Sequence, residues 1–327
     1  MLSHNPLVSV IIPVYNAEDY IEQTINSAKQ QTWGNIEIII VDDGSTDNSL
    51  AIAKIHESER VKIITQPNSG ASIARNKGIA VANGDYLQFL DADDLLSPDK
   101  IASQLEQLVD NPGYVGLCTT VHFKTGTDPF KQPVQHEWYD TGSNDPVDFL
   151  MKLYAGHEII PGHGGMIQPN AWLTPRKLID KAGFWNEFRC PDDDGEFFCR
   201  IILSSKGVRY SKTGINYYRK YTAENSLSGQ KSRDAFQNIL LATDLKYSHL
   251  KAKTDDKILD RIFARHYWSL GVNTYPQYAD ISNKAINKAK LFGYTGPKYT
   301  SGKLSTFLSK ILGWRLLRIV SFIRHGF

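Results

Sequence analysis

The chain has 327 residues, 41% of them hydrophobic and 22% charged, with a formal net charge of +2. That length and apolar content can bury a sizeable core, as one large α/β domain or a domain with an appendage, and they exclude a disordered or fibrous chain. Cys118, Cys190 and Cys199 are odd in number and lack C-x-x-C spacing, which argues against a disulfide framework or a zinc site and for reduced thiols.

In chain order, the first apolar run is VSVIIPV (8–14). Stopped by Pro13 and without a basic flank, it reads as a strand and not as a secretory signal, so a cytoplasmic protein is expected. IEIIIVD (36–42), VKIITQ (61–66) and DYLQFLD (85–91) are further short β-branched runs, and the stretches 18–31, 47–57 and 71–82 between them are amphipathic. This β-α-β-α order predicts a mainly parallel sheet in a three-layer sandwich. In such sheets ligands bind beyond the carboxyl ends of the strands.

Each strand is followed by residues suited to a site: Tyr15-Asn16, Asp42-Asp43-Gly44-Ser45, Asn68-Ser69-Gly70 and Asp91-Ala92-Asp93-Asp94. Taken singly they are equally ordinary turns and helix caps, Ser45 and Asp47 among the latter. At matching strand ends they point together to one site. Three carboxylates in four positions repel one another unless a cation sits among them, although Asp94 also reads as a cap for a helix beginning near Pro98. Neither G-x-G-x-x-G nor G-x-x-x-x-G-K-[ST] occurs, so a phosphate-bearing ligand needs another counter-charge. Mg²⁺ or Mn²⁺, held by one or two carboxylates and completed by phosphate oxygens and water, would supply it.

VSVIIPVYNAEDYI, IIIVDDGSTDNS, NSGASIARNKGI and YLQFLDADD, in this order and spacing, resemble successive motifs of the family-2 glycosyltransferases. The resemblance runs over about residues 8–228 and implies the GT-A fold and inverting sugar transfer from a nucleotide-diphosphate sugar, UDP-sugars being common donors. It implies that Pro13, Val14 and Tyr15 border the base, that Asp42 and Asp43 contact base or ribose, and that Arg75 reaches the nucleoside or its phosphate. Asp91 would touch the ribose or a metal-bound water, and Asp93 would bind the metal.

Inverting transfer requires a base for the acceptor hydroxyl. AGFWNEFRCPDDDGEFFCRI (182–201) resembles the family segment in which an acidic pair precedes a helix ending in Arg, which sets Asp193-Asp194 on the pair and makes Asp194 the base. The three consecutive aspartates also read as a helix start favoured by the dipole. YYRKYTAENSLS (217–228) departs from the family pattern: Tyr221 stands where a metal-binding histidine is common, and a phenol with a pKa of about 10 is a poor ligand. His157 and His163 are candidate substitutes or acceptor contacts, and equally loop histidines. The insert 124–161, with Phe130, Trp138, Tyr139, Phe149 and Tyr154, is expected to face the acceptor by stacking on sugar rings; a small satellite core is the alternative.

From about residue 229 the pattern turns helical, over 234–250, 256–270 and 282–292. The expected organisation is therefore a GT-A domain over 1–228, with a nucleotide-sugar half at 1–121 and an acceptor half at 122–228, then a C-terminal helical appendage over 229–302. Residues 303–327 read as one basic amphipathic helix. After Asp280 there are nine Lys and Arg and no acid, leaving the rest of the chain at about −7. Burying Lys310, Arg315 and Arg318 in a bilayer would cost roughly 2.5–3.5 kcal/mol each, so the tail is expected to lie on an anionic membrane surface and not to cross it.

The reading that emerges is a metal-dependent inverting glycosyltransferase, peripheral on the cytoplasmic membrane face, acting on a glycan or lipid-linked acceptor in surface-glycan synthesis. No nucleic-acid partner is expected, and oligomeric state is left open. An inactive nucleotide-sugar-binding protein and a nucleotidyltransferase are the rivals; glycoside hydrolysis would not need the nucleotide-site motifs.

Overall fold

The computed structural model describes residues 5–220, 231–297, 308–309 and 311–325. The chain divides into two compact units: Met1–Leu150 with Met166–Phe188 and Phe197–Thr222, and Met151–Gly165 with Arg189–Glu196 and Ala223–Phe327. The second unit thus takes in two short stretches from within the expected 1–228 domain.

Among the described residues, eight strands build the first unit: β1 (Val8–Val14), β2 (Ile36–Asp42), β3 (Val61–Thr65), β4 (Tyr86–Phe89), β5 (Leu95–Leu96), β6 (Val115–Lys124), β7 (Trp172–Pro175) and β8 (Val208–Lys220). They form one sheet in the order β3-β2-β1-β4-β7-β6-β8-β5. The β3-β2, β2-β1, β1-β4 and β6-β8 pairs are parallel, and the other three are antiparallel. Every residue of β1 is buried, as a strand covered on both faces by helices requires. The helices alternating with the first strands are α1 (Ile21–Lys29), α2 (Ser49–Ile55), α3 (Ala71–Val81) and α4 (Lys100–Val109). The run expected to extend to Asp91 stops at Phe89, because Asp94 N turns back to donate to Asp91 O at 3.1 Å.

Further helices follow: α5 (Pro146–Ala155), α6 (Arg176–Ala182) and α7 (Asp193–Ser204). Most of the aromatic residues of the insert are core. Tyr139 and Phe149 are buried, and the Trp138 ring packs on both at 5.4 and 5.2 Å; Tyr154 is buried against Phe263 in the second unit. The sugar-stacking expectation therefore fails for Tyr139, Phe149 and Tyr154, which are buried in a satellite core, while Trp138 is half-buried. Phe130 remains 65% exposed. All three cysteines are buried and none is in a disulfide.

The second unit contains α8 (Arg233–Lys251), α9 (Ile258–Thr274), α10 (Ala279–Leu291) and α11 (Trp314–His325). Phe236, Leu270, Ile281 and Ala285 form its apolar cluster, and Asp244 accepts from Tyr267 Oη at 2.6 Å and Lys288 Nζ at 2.7 Å. The tail is not one helix. Gly313 adopts φ of 78° between the helical residues 311–312 and α11, a conformation that interrupts a right-handed helix. Residues 303–307, 310 and 326–327 lie outside the described residues.

Helix α3 approaches β1 closely at Gly78, where a Cβ would lie 2.5 Å from Ile11 Cγ2. Alanine would favour the helix by about 1 kcal/mol, but overpacking a buried contact costs roughly 1–3 kcal/mol. The overlap wins, so Gly78→Ala is expected to lower the unfolding free energy, measured as a reduced urea midpoint. An unchanged or raised midpoint would show that α3 can retreat from the sheet freely.

Candidate active site

The parallel register brings the strand ends together. Val14 lies opposite Asp42, Asp42 opposite Thr65, and on the other side of β1 Ile11 lies opposite Phe89. Pro13, Val14, Tyr15, Asp42, Asp43 and the Asp91–Asp94 turn therefore share one sheet edge. Pro13 and Val14 are buried, whereas Tyr15 is 51% exposed.

Asp43 ties the end of β2 to the start of α3. Its carboxylate accepts from Gln66 Nε2 at 2.7 Å and from the Ser69 and Gly70 amides at 2.8 Å each. Asp42 is also buried, but its Oδ2 receives only a long bond of 3.4 Å from the Ser45 amide, and its Oδ1 has no hydrogen-bond partner. A buried acceptor left unsatisfied is costly. A donor on a ligand would relieve it.

Arg75 projects from α3 to Asp91, with Nη2 donating to Oδ1 at 2.8 Å, and its guanidinium lies 4.5 Å from the centre of the Trp185 ring. Asn76 fixes Trp185 in turn: its Nδ2 donates to Trp185 O and its Oδ1 accepts from Trp185 N, both at 2.9 Å. The Trp185 ring stacks on Phe197 at 4.1 Å, and Phe89 meets both edge-on. Such pairs are worth about 0.5–1.5 kcal/mol each beyond area burial. Arg75 thus sits on a rigid aromatic floor.

The acidic turn is clamped from three directions. Asp91 N donates to Asn170 Oδ1 at 2.9 Å, while Asn170 Nδ2 donates to Asp94 Oδ2. From β8, Arg219 donates its amide to Asp94 Oδ1 and its Nε to Asp93 O, both at 2.7 Å. From α1, Thr24 Oγ1 donates to Ala92 O at 2.8 Å and Asp94 O at 2.9 Å. Burial, with the charges of Asp93 and Asp91, pushes the Asp94 carboxyl well above the usual carboxylate range. Asp94 is therefore not the cap expected of the helix near Pro98. That helix, α4, starts at Lys100 with Asp99 as its N-cap residue, and Asp94 is drawn away by the donors of Asn170 and Arg219.

Asp91 is engaged by Arg75 and Asp94 is enclosed. Asp93 is part-exposed, as Asp91 is, and its main-chain carbonyl is fixed by Arg219. One positioned carboxylate fits Mg²⁺ or Mn²⁺ that completes its shell with phosphate oxygens and water. Among the described residues no group of three or more His, Cys, Asp or Glu forms an all-protein metal cage. His157 Nδ1 accepts from the Gly162 amide at 2.9 Å and His163 Nδ1 lies 3.0 Å from Pro161 O, which are local loop contacts; Tyr221 lies outside the described residues.

In the second unit, Asp193 and Asp194 open α7, where the positive end of the helix dipole favours negative charge. Asp193 is buried and accepts the Asp194 amide at 2.9 Å; Asp194 is half-buried and accepts the Gly195 amide at 2.8 Å. Asp192 pairs with Lys246, and the buried Glu196 lies 3.2 Å from His249 Nε2. Each of the three consecutive aspartates thus has a different environment.

The family model described as glycosyl transferase family 2 matches residues 9–177, which hold β1 to β7 and the acidic turn. The chain belongs to glycosyl transferase family 2. Glycosyltransferase GlyG of Streptococcus pneumoniae serotype 4 is 31% identical over 225 residues, 65% of this chain and 71% of that one. The putative teichuronic acid biosynthesis glycosyltransferase TuaG of Bacillus subtilis is 40% identical over 153 residues, 45% and 61% of the two chains. Across four such relatives, the matched stretch is 35–71% of their own length. A crystal structure of S. aureus TarS 1–349 with UDP-GlcNAc superposes with a TM-score of 0.68 at 18% identity, covering 98% of this chain and 92% of that one. At that identity the likeness is one of fold, and the fold is GT-A.

Within this family-2 glycosyltransferase, the strand-end residues read from the motifs share an edge, and Arg75 meets Asp91 directly. Sequence reading missed Asn170, Arg219, Thr24 and Trp185. Arg219 stood in the quoted YYRKY stretch, a signal that a buried arginine near the acids was available. Asn170 and Thr24 carry no local signal.

Asp94→Asn tests the clamp. The new amide would set its Nδ2 against that of Asn170, which cannot flip without losing the bond its Oδ1 accepts from Asp91 N. Leaving a buried donor unmatched costs roughly 1–3 kcal/mol. Chemical denaturation should show a loss of that size. An unchanged midpoint would contradict the clamp given to Asp94.

Proposed function

We propose that this family-2 glycosyltransferase transfers a sugar, with inversion, from a nucleotide-diphosphate sugar to a hydroxyl of a glycan or lipid-linked acceptor in surface-glycan synthesis. A uridine nucleotide is the first choice of donor. The observation that carries the reading is the single sheet edge on which parallel strands deliver Tyr15, the under-satisfied Asp42, Asp43 and the clamped acidic turn. The TarS structure with UDP-GlcNAc and the teichuronic acid assignment of TuaG support the donor and the pathway class.

In this reading Tyr15, Pro13 and Val14 border the base, and Asp42 accepts from a base or ribose donor through its unpartnered oxygen. Asp43 holds the β2 end rigid against α3. Arg75 keeps Asp91 oriented and lends positive charge beside the diphosphate. Mg²⁺ or Mn²⁺ held at Asp93 supplies, when bound, neutralisation of the diphosphate charge. Asp194 takes the proton of the acceptor hydroxyl as its oxygen bonds to the anomeric carbon. The bond from that carbon to the diphosphate oxygen breaks, and the nucleoside diphosphate leaves with the electron pair.

A panel of nucleotide sugars with Mn²⁺, read by thermal stabilisation and donor consumption, tests the donor; a ligand at a hundredfold excess over its Kd stabilises by about 2.7 kcal/mol. Asp93→Asn is expected to abolish the Mn²⁺-dependent part of donor affinity in calorimetry, and unchanged affinity would remove the metal assignment. Asp194→Asn is expected to lower turnover by roughly 10²–10⁴ with donor affinity retained. Near-normal turnover would mean that another group accepts the proton.

A further inference from the structure

Helix α11 faces the opposite way from that expected of a cationic lipid-binding helix. Two of its three arginines, Arg315 and Arg318, bond to other parts of the second unit. Arg318 Nε donates to Val272 O at 3.0 Å and Tyr275 O at 3.2 Å, and its Nη2 to Asn273 O at 3.1 Å, so it caps the carboxyl end of α9. Arg315 Nη2 donates to Asn283 Oδ1 at 2.9 Å, and Trp314 is buried against Trp268 and Tyr275. Large apolar side chains remain outward beside the exposed Arg315 and Arg324: Leu316 (45% exposed), Val320 (53%) and Ile323 (79%) on α11, with Leu312 (50%) and Ile311 (66%) just before the break at Gly313. Spacings of four and three residues put Leu316, Val320 and Ile323 on one stripe of α11. Rolling this stripe inward would break the Arg318 cap.

We infer that this stripe is the surface by which the protein docks into the headgroup boundary of an anionic bilayer. The face is too apolar to be left in water by chance: five large apolar side chains stand exposed within thirteen residues, 311–323. Among the described residues no helix is long and apolar enough to cross a membrane, so the stripe lies in the interface. Charge selects lipid over a second copy of the chain. After Asp280 the sequence has nine Lys and Arg and no acid, with Lys284, Lys290 and Arg324 exposed, so two such faces brought together would repel while an anionic headgroup layer attracts. Arg315 and Arg318 fix the helix to the protein, the aliphatic stripe enters the lipid, and the exposed cations set the requirement for anionic lipid. This goes beyond the transfer reaction and is independent of the donor assignment.

The test is flotation of the full chain with vesicles of phosphatidylcholine alone, or of phosphatidylcholine with phosphatidylglycerol, at low and high salt. The full chain is expected to float with the anionic vesicles, less so at high salt, and to stay below with the neutral ones. Leu316→Asp/Val320→Asp, on the exposed stripe, is expected to lower the vesicle partition coefficient by roughly tenfold or more, with an unchanged melting temperature and circular dichroism spectrum. Equal flotation of the two proteins, flotation independent of anionic lipid, or no flotation of either overturns the proposal. So does light scattering in which the full chain is a dimer without lipid and the double variant a monomer, which would assign the stripe to a second copy.

Discussion

The buried carboxylate of Asp94 is the constraint on which the candidate site rests. It is enclosed, and its neighbours Asp91 and Asp93 repel its charge, yet it is held by the Asn170 side chain and the Arg219 amide. The two donors come from separate parts of the sheet's second half, just before β7 and within β8. Their convergence on one carboxylate draws those strands to the end of β4. The unfavourable burial of a charge is offset by aligned donors, and the result is a turn with a single geometry.

That geometry decides what each acid of the turn can do. Asp91 is turned to Arg75, whose guanidinium rests over Trp185, and Trp185 is itself locked by Asn76 and Phe197. Asp94 is committed to Asn170 and Arg219. Asp93 is part-exposed, with its carbonyl fixed behind it. Three chemically identical side chains within four residues are thereby separated into an ion-pair partner, a structural clamp and a candidate metal ligand. The same separation occurs at Asp192, Asp193 and Asp194, where Lys246, burial and the first turn of α7 give each carboxylate a different setting.

The second unit shows a related use of charge. Arg318 and Arg315 satisfy carbonyl and amide oxygens of the unit itself and so fix which side of α11 is left exposed. Guanidinium groups are suited to this because one side chain presents several donors in a fixed plane. A helix that reads as basic and amphipathic can therefore present its apolar side outward, when backbone carbonyls compete successfully for its cations.

Alternation of β-branched runs with amphipathic stretches was enough to establish the parallel strands β1 to β4, and β1 and β2 begin and end where their sequence patterns do, because those patterns express local propensity and burial on both faces. The strand-end motifs likewise identified Tyr15, Asp42, Asp43 and the acidic turn as neighbours, since parallel topology alone places carboxyl ends on one edge, and the family resemblance added Arg75. Nothing local announced that Asp94 would be buried away from α4, that Asn170 and Thr24 would hold its turn, or that Tyr139 and Phe149 would be core and not surface. Gly313 as the break in the tail, and the outward turn of its apolar stripe, were equally hidden in a pattern that read as one helix. The sequence by itself determined the family, the order of the elements and which residues stand at the strand ends. Only the tertiary structure decided which carboxylate is clamped, which is paired and which face of the last helix is exposed. Those outcomes depend on donors and carbonyls many residues distant, whose competition for the same side chains is settled only when the chain is packed.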